Sequence, residues 1–230
     1  MIAIIPARSG SVGLKNKNIL KINKKPLIAH SILSALKAKL VSDVIVLTES
    51  KKIAKIAQKY GAKVPFFRPK KLATSKSKVM DSYIYCIEKL NKNFNKKILN
   101  FVALLPTSPL RTSKDIDNSI KLFQEKKASS VISVCEQNKP IEWTLVEKKD
   151  FKFSPLKNSK NNILNRDEYK KNIILPNGSI YIFNYKKLKK FRKYYFSDSR
   201  YYKMPKSRSV DIDDYLDFMY AEKLMENRIK

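Results

Sequence analysis

Histidine and tryptophan each occur once in 230 residues, cysteine twice and glycine four times. No activated serine, cysteine or histidine constellation is visible, so covalent catalysis is not expected. Cys86 and Cys135 lack paired metal-ligand spacing and sit in apolar segments; they read as buried free thiols, which suits a reducing cytoplasm. His30 lies in a helix-period stretch and reads as a partly buried helix residue rather than a base. No run of about eighteen apolar residues exists, so no membrane span is expected. The chain starts directly with Met1-Ile2-Ala3-Ile4-Ile5, without the features of a signal peptide, and a cytoplasmic location is expected. Internal repeats are absent. Acids are scarce: 20 Asp and Glu stand against 49 Lys and Arg, a formal net charge of +29. Such a field attracts any polyanion. The basic residues are mostly lysines spread over the whole chain, a compositional bias rather than a built patch, and no dedicated nucleic-acid partner is expected.

Hydrophobic residues make up 43% of the chain, enough for a real core. Apolar runs at Ile2 to Ile5, Val44 to Leu47, Val64 to Phe67, Phe101 to Leu105 and Val131 to Val134 read as strands. Between them Ile28, Ile32, Ala35 and Leu36, then Ile53, Ile56, Ala57 and Tyr60, then Met80, Ile84 and Ile87, then Ile116, Ile120 and Phe123 fall at helical spacing. Thr112 and Asp115 approximate a capping box. Strands alternating with helices predict an α/β fold, a mostly parallel sheet with helices on both faces. Residues 1–230 form one domain. Residues 138–175, polar and without period from Lys148 onward, read as an arm or insertion. Order returns at Ser179 to Phe183, and Leu216, Met219, Tyr220 and Leu224 close the chain as an amphipathic helix. Trp143 reads as packing. Between Tyr185 and Lys206, aromatics among lysines read as a solvated face with the rings turned inward.

Ligands of parallel sheets bind beyond the carboxyl ends of the strands, which directs attention to the loops after Ile5, Leu47 and Leu105. The first loop carries Arg8, Ser9, Gly10, Ser11 and Gly13, then Lys15, Lys17 and Asn18. Its small residues let backbone N–H groups approach a phosphate, and its cations suit a triphosphate. It has neither P-loop nor GxGxxG spacing. Near the other end Asp211 and Asp213 alternate on an extended segment, so both carboxylates face one side. Two hard oxygen ligands beside a triphosphate suit Mg²⁺. Alternatively they cap the following helix, a role that Asp214, with Asp217 in the first turn, could fill alone.

The string IPARSGSVGLKNKNI resembles the N-terminal signature of the acylneuraminate cytidylyltransferases. Further resemblances follow in family order: KPLIAHSILSALKAKLVSDVIVLTES, RPKKLATS, LLPTSPLRTSKDID, PNGSIYIF and SVDIDDYLDF. The resemblance implies a Rossmann-like nucleotidyltransferase sheet with a small dimerisation arm, acting as a homodimer. It implies CTP and an acidic nine-carbon sugar as substrates and Mg²⁺ as cofactor. Carried over residue by residue, Arg8 and Lys17 would hold the triphosphate, Asn18 would fix the loop or touch the nucleotide, and Arg68 would lie near the nucleotide. Pro106, Thr107 and Ser108 would lie between nucleotide and sugar, with Arg111 supporting that turn. Asn177 and Tyr181 would line the sugar pocket, Arg166 would reach a partner's site, and Asp211 and Asp213 would bind metal, Asp211 also helping to take a proton. Val12, Ser75, Leu105 and Leu175 depart from the family pattern, and those near the sugar point to a nonulosonate other than N-acetylneuraminate. Three alternatives stay open: a cytidylyltransferase for the eight-carbon acid Kdo or another sugar nucleotidyltransferase, a basic nucleic-acid-binding protein, and a degenerate family member, suggested by Leu105 and Val12, that binds nucleotide without turnover.

Overall fold

A computed structural model describes residues 1–10, 13–94, 97–156 and 172–227. In chain order the elements are β1 (Ile2–Pro6), β2 (Lys21–Ile22), β3 (Lys25–Pro26), α1 (Leu27–Leu36), β4 (Asp43–Leu47), α2 (Lys51–Lys59), α3 (Val79–Asn93) and β5 (Asn100–Leu104). Then follow α4 (Ser113–Glu125), β6 (Ser130–Gln137), β7 (Leu145–Glu147), β8 (Phe153–Pro155), β9 (Ile173–Asn184), α5 (Tyr185–Phe191), β10 (Arg200–Lys203) and α6 (Tyr215–Glu226). The central sheet runs β10-β6-β9-β5-β1-β4. Five of its strands are mutually parallel; β9 runs antiparallel between β5 and β6.

The apolar runs are continuous because the sheet is covered on both faces, and successive residues of a strand face opposite ways. Ala3 and Ile5 of β1 pack with Val44 and Val46 of β4 under α1, α2 and α4, through Ile28, Ile32, Ile53, Ile116 and Ile120. Ile2 and Ile4 face the opposite layer, where Tyr83, Ile84, Ile87 and Leu90 of α3 meet Phe101, Phe183 and Leu188. A third, smaller cluster joins the two ends of the chain: Ile22, Leu27 and Leu110 against Val210, Ile212, Ala221 and Met225.

Two expectations are corrected here. Val64 to Phe67 is not a strand. Backbone pairing is confined to Lys63, which bonds Val44 and Val46, and to Arg68 N–H, which reaches the Thr48 carbonyl; Pro65 has no N–H to extend the ladder. The strand expected at Ser179 to Phe183 is far longer, β9 running from Ile173 to Asn184. Its register against β6 breaks opposite Ser133, where Pro176 pairs with Val134 and Tyr181 with Ile132. This bulge carries Gly178 at φ +69°.

Between β6 and β9, where the arm was expected, β7 and β8 form a hairpin apart from the main sheet. Leu145, Val146, Phe151, Phe153 and Leu156 are exposed on or beside it, as is Trp143, which does not pack into the core. Ser11, Val12 and Arg166 lie outside the described residues. Among the described residues no helix is long and apolar enough to cross a membrane.

Candidate active site

β1, β4 and β5 are parallel, so their carboxyl ends open on the same edge. There a cavity of 560 Å³ is lined by Pro6, Arg8, Gly13, Lys17, Asn18, Arg68, Thr74, Ser75, Leu105, Pro106, Thr107, Asp211 and Asp213, among others. The loop after β1 is folded back by a single-turn helix at Lys17–Ile19, entered by Asn16 in the left-handed conformation at φ 57°. Asn18 is buried, and its Nδ2 donates to the Arg8 carbonyl at 2.8 Å, which ties the two ends of the loop together. Arg8 Nη1 donates to the Thr74 carbonyl at 2.8 Å, across the mouth of the cavity.

The acidic segment is brought to this wall by alternation. Val210 and Ile212 are buried in the small third cluster, which turns Asp211 and Asp213 the other way. Ile212 N–H donates to the Thr107 carbonyl at 2.8 Å, stitching the segment to the turn after β5. Lys17 Nζ donates to the Ile212 carbonyl at 2.6 Å and to Asp213 Oδ1 at 2.9 Å. The Gly13 backbone lies against Asp213, and a Cβ on Gly13 would come under 3.0 Å from the Asp213 carbonyl oxygen. Gly178 stands in the same relation to the Asp211 carboxylate. Helix α6 is capped by Asp214, whose side chain accepts from Asp217 N–H while Asp217 answers to the Asp214 backbone. Asp211 and Asp213 are therefore not needed as caps.

Burial pushes the Asp211 carboxyl above its ordinary value, against a hydrogen bond from Thr107 and the Lys17 charge. Its Oδ1 is buried without a hydrogen-bond partner. An orphaned carboxylate oxygen on a cavity wall, with a second carboxylate two residues away, fits a hard divalent cation that completes its shell with phosphate and water. Among the described residues no group of three or more such side chains is present, so a cation here would rely on its substrate for ligands.

Arg111 is buried beneath the turn. It donates to the Ser179 carbonyl, to Ser31 Oγ, and at 2.9 Å to the Leu105 carbonyl. Burial brings its guanidinium down to about 9, with Asp115 and Asp211 opposing. Its role is to support the turn. Ser108 is buried too and faces the Asn177 carbonyl. Asn177 does not line the cavity: its Oδ1 accepts from Ser133 Oγ and Ser179 N–H, and its Nδ2 donates to Ser209 Oγ at 2.8 Å. It locks the bulge of β9 to β6 and to the segment leading to Asp211. Tyr181 lines a neighbouring 290 Å³ pocket with Tyr83, Tyr194 and Tyr195. Val79 and Leu105 border both cavities. Gly10 and Lys15 are exposed and line neither. His30 contacts the Ile22 carbonyl at 3.0 Å and does not line the cleft.

Sequence reasoning missed Glu49. Its Oε1 accepts from both Ser9 N–H, at 2.6 Å, and Ser9 Oγ, at 2.9 Å, while its Oε2 accepts from Arg68 Nη2 at 2.8 Å. Burial raises the Glu49 carboxyl, but Arg68 and Ser9 outweigh it and hold it below its ordinary value. Both donors of Ser9 are thus engaged within the protein. The signal that could have found Glu49 was its place in the loop after β4.

The model of the cytidylyltransferase family matches residues 2–230. The N-acylneuraminate cytidylyltransferase of Escherichia coli is 37% identical over 99% of the chain, which spans only 52% of that longer protein. The CMP-N,N'-diacetyllegionaminic acid synthase of Legionella pneumophila is 33% identical over 98% of the chain and 96% of its own length. In fold, a CMP-2-keto-3-deoxy-manno-octonic acid synthetase solved with CTP superposes with a TM-score of 0.74 over 99% of this chain and 98% of that one, at 18% identity. With its motifs in family order and its two ends meeting at one cleft, the chain belongs to the cytidylyltransferase family.

Proposed function

We propose that the protein transfers CMP from CTP to the anomeric hydroxyl of a nonulosonic acid, releasing pyrophosphate. One observation carries the reading: Arg8, Lys17 and Arg68 share a single cavity with Asp211 and Asp213. The hydroxyl oxygen forms a bond to the α-phosphorus, and the bond from that phosphorus to the bridging oxygen breaks. Pyrophosphate departs with the electron pair. No protein nucleophile is needed; rate comes from in-line positioning and charge neutralisation. Arg8 and Lys17 neutralise the triphosphate and the leaving group, and Arg68 holds the nucleotide side. Asp211, its carboxyl already raised by burial, is suited to accept the hydroxyl proton. Asp211 and Asp213 would hold Mg²⁺, which supplies positive charge to the phosphates when bound.

The sugar belongs on the side of Thr107, Leu105 and Tyr181, where the two cavities adjoin. The names of the relatives support a nonulosonate, sialic or legionaminic. A cytoplasmic homodimer is the expected setting; the exposed apolar side chains of the β7–β8 hairpin support an interface there.

The test is pyrophosphate release from each of the four nucleoside triphosphates against N-acetylneuraminate, a legionaminate and Kdo, with and without Mg²⁺. Turnover confined to CTP with a nonulosonate and dependent on Mg²⁺ is expected. Turnover with Kdo alone would move the enzyme to the eight-carbon acids. Absence of turnover, with salt-sensitive RNA retention that survives loss of Asp211 and Asp213, would favour nucleic-acid binding.

A further inference from the structure

We infer that Glu49 is a positioning residue for nucleotide binding, a carboxylate behind the cavity wall that fixes Arg68 and the head of the Arg8–Lys17 loop relative to each other. The inference rests on the reading of the cleft as a CTP site. Glu49 belongs to the loop after β4, Ser9 to the loop after β1, and Arg68 to the segment that returns beside β4. Forty residues separate Glu49 from Ser9 and nineteen separate it from Arg68. One carboxylate joins all three loops at the carboxyl edge of the sheet.

The environment makes the clamp matter. The Arg68 and Glu49 side chains are only 4% and 12% exposed. Among the described residues the ion pair that Arg68 makes is this one, its contact to Ser82 Oγ is long at 3.5 Å, and its buried Nε has no partner. Arg68 lines the cavity whereas Glu49 does not. The guanidinium is therefore held at the cleft wall by a partner outside the cavity lining. Without that partner a buried arginine would seek other acceptors or solvent, and Ser9 would lose both of its hydrogen bonds to the loop after β4.

Two effects of removing Glu49 have opposite signs. A negative charge near the binding site of a polyanion is repulsive, so Coulomb's law alone predicts tighter CTP binding once the charge is gone. A positioning role predicts weaker binding.

The experiment is calorimetric titration of the full-length protein with CTP in the presence of Mg²⁺, for wild type, Glu49→Gln, Arg68→Ala and the double variant, with melting curves for each. Glu49→Gln should weaken CTP binding by about tenfold or more, the usual scale for a group that orients a direct ligand. Its melting temperature should fall by several degrees, the cost of leaving Arg68 buried and unpaired, so binding is titrated at a temperature where every variant is fully folded. In the Arg68→Ala background the same change should cost less than about threefold, because coupled residues are not additive. Equal or tighter CTP binding by Glu49→Gln, or a double variant weakened by the product of the two single effects, would overturn the inference. Should Glu49→Gln fail to fold, Glu49→Asp keeps the charge but is one methylene too short to span Ser9 and Arg68. Weaker binding by that variant supports the inference, and unchanged binding overturns it. If wild-type protein binds no CTP, the reading of the cleft fails, and this inference with it.

Discussion

Lys17 and Asp213 are 196 residues apart in the chain and 2.9 Å apart in the fold. The ammonium of the head loop and the carboxylate of the tail segment form one wall of one cavity. Asp213 is 80% exposed at its side chain, so the pair contributes little to stability. Lys17→Met should therefore melt within about 3 °C of wild type while losing about 100-fold or more in turnover of CTP, the scale of one charge-stabilising donor. Steady-state pyrophosphate release beside a thermal melt checks both.

Gly13 and Gly10 make a matched pair of probes. A Cβ on Gly13 meets the Asp213 backbone, which cannot rotate away, whereas a Cβ on Gly10 meets nothing within 4 Å. Gly13→Ala should cost about 100-fold in turnover by separating loop and acids, and Gly10→Ala should leave kcat and KM for CTP within about twofold. Equal effects of the two would contradict the close approach.

Gly178 tests the same wall from β9. Alanine there has to adopt φ +69° and also displace the Asp211 carboxylate. A stability loss of about 1–3 kcal/mol is expected in urea unfolding. Turnover should fall further than that instability explains at a temperature where the variant is fully folded.

Much of this arrangement was legible in the sequence, for physical reasons. Strands β1, β4 and β5 are buried on both faces and appear as unbroken apolar runs. The capping boxes at Thr112 and Asp214 rely on neighbours three residues away. The Asp211–Asp213 alternation survives because Val210 and Ile212 supply the opposite face. Where legibility failed, the cause was tertiary. Pro65 cuts short an edge that hydrophobicity alone favoured. The bulge at Pro176, Asn177 and Gly178 interrupts the alternation of β9, so the strand looked shorter than it is. Glu49 leaves no periodic trace, since its partners lie in other loops. Asn177 sits in a motif that the family resemblance assigns to the sugar, yet its side chain holds β9 to β6.

Asp115 sets a pH dependence away from the cleft. Burial raises its carboxyl, but bonds from Arg208 and Thr112 outweigh this and hold it below its ordinary value. Arg208 contributes Nε at 3.0 Å and Nη2 at 2.8 Å, and Tyr202 OH adds a bond at 3.1 Å. A carboxyl depressed by folding contributes stability above its unfolded value of 3.8, and that contribution is lost as pH falls through the lower folded value. Asp115→Asn should destabilise at pH 7 by on the order of 3 kcal/mol. The difference from wild type should narrow in urea melts below about pH 4.

Asp211 sits on the cavity wall at a cost in stability. Its Oδ1 is buried and unpartnered, an arrangement that costs about 1–3 kcal/mol for a neutral group and more for a charged one. Asp211→Asn should raise the melting temperature measured without divalent cations and lower turnover by about 100-fold or more. A variant that melts lower and stays active would reverse the assignment.

The most direct measurement is the coupling between Mg²⁺ and CTP, read as the CTP dissociation constant with and without the cation. If head loop and tail acids grip one magnesium-bound triphosphate, Mg²⁺ should tighten CTP by about tenfold or more in the wild type. In the Asp211→Ala, Asp213→Ala double variant that gain should shrink to less than about twofold, reciprocity requiring the same loss in cation affinity. An undiminished gain in the double variant would place the cation elsewhere and contradict the account.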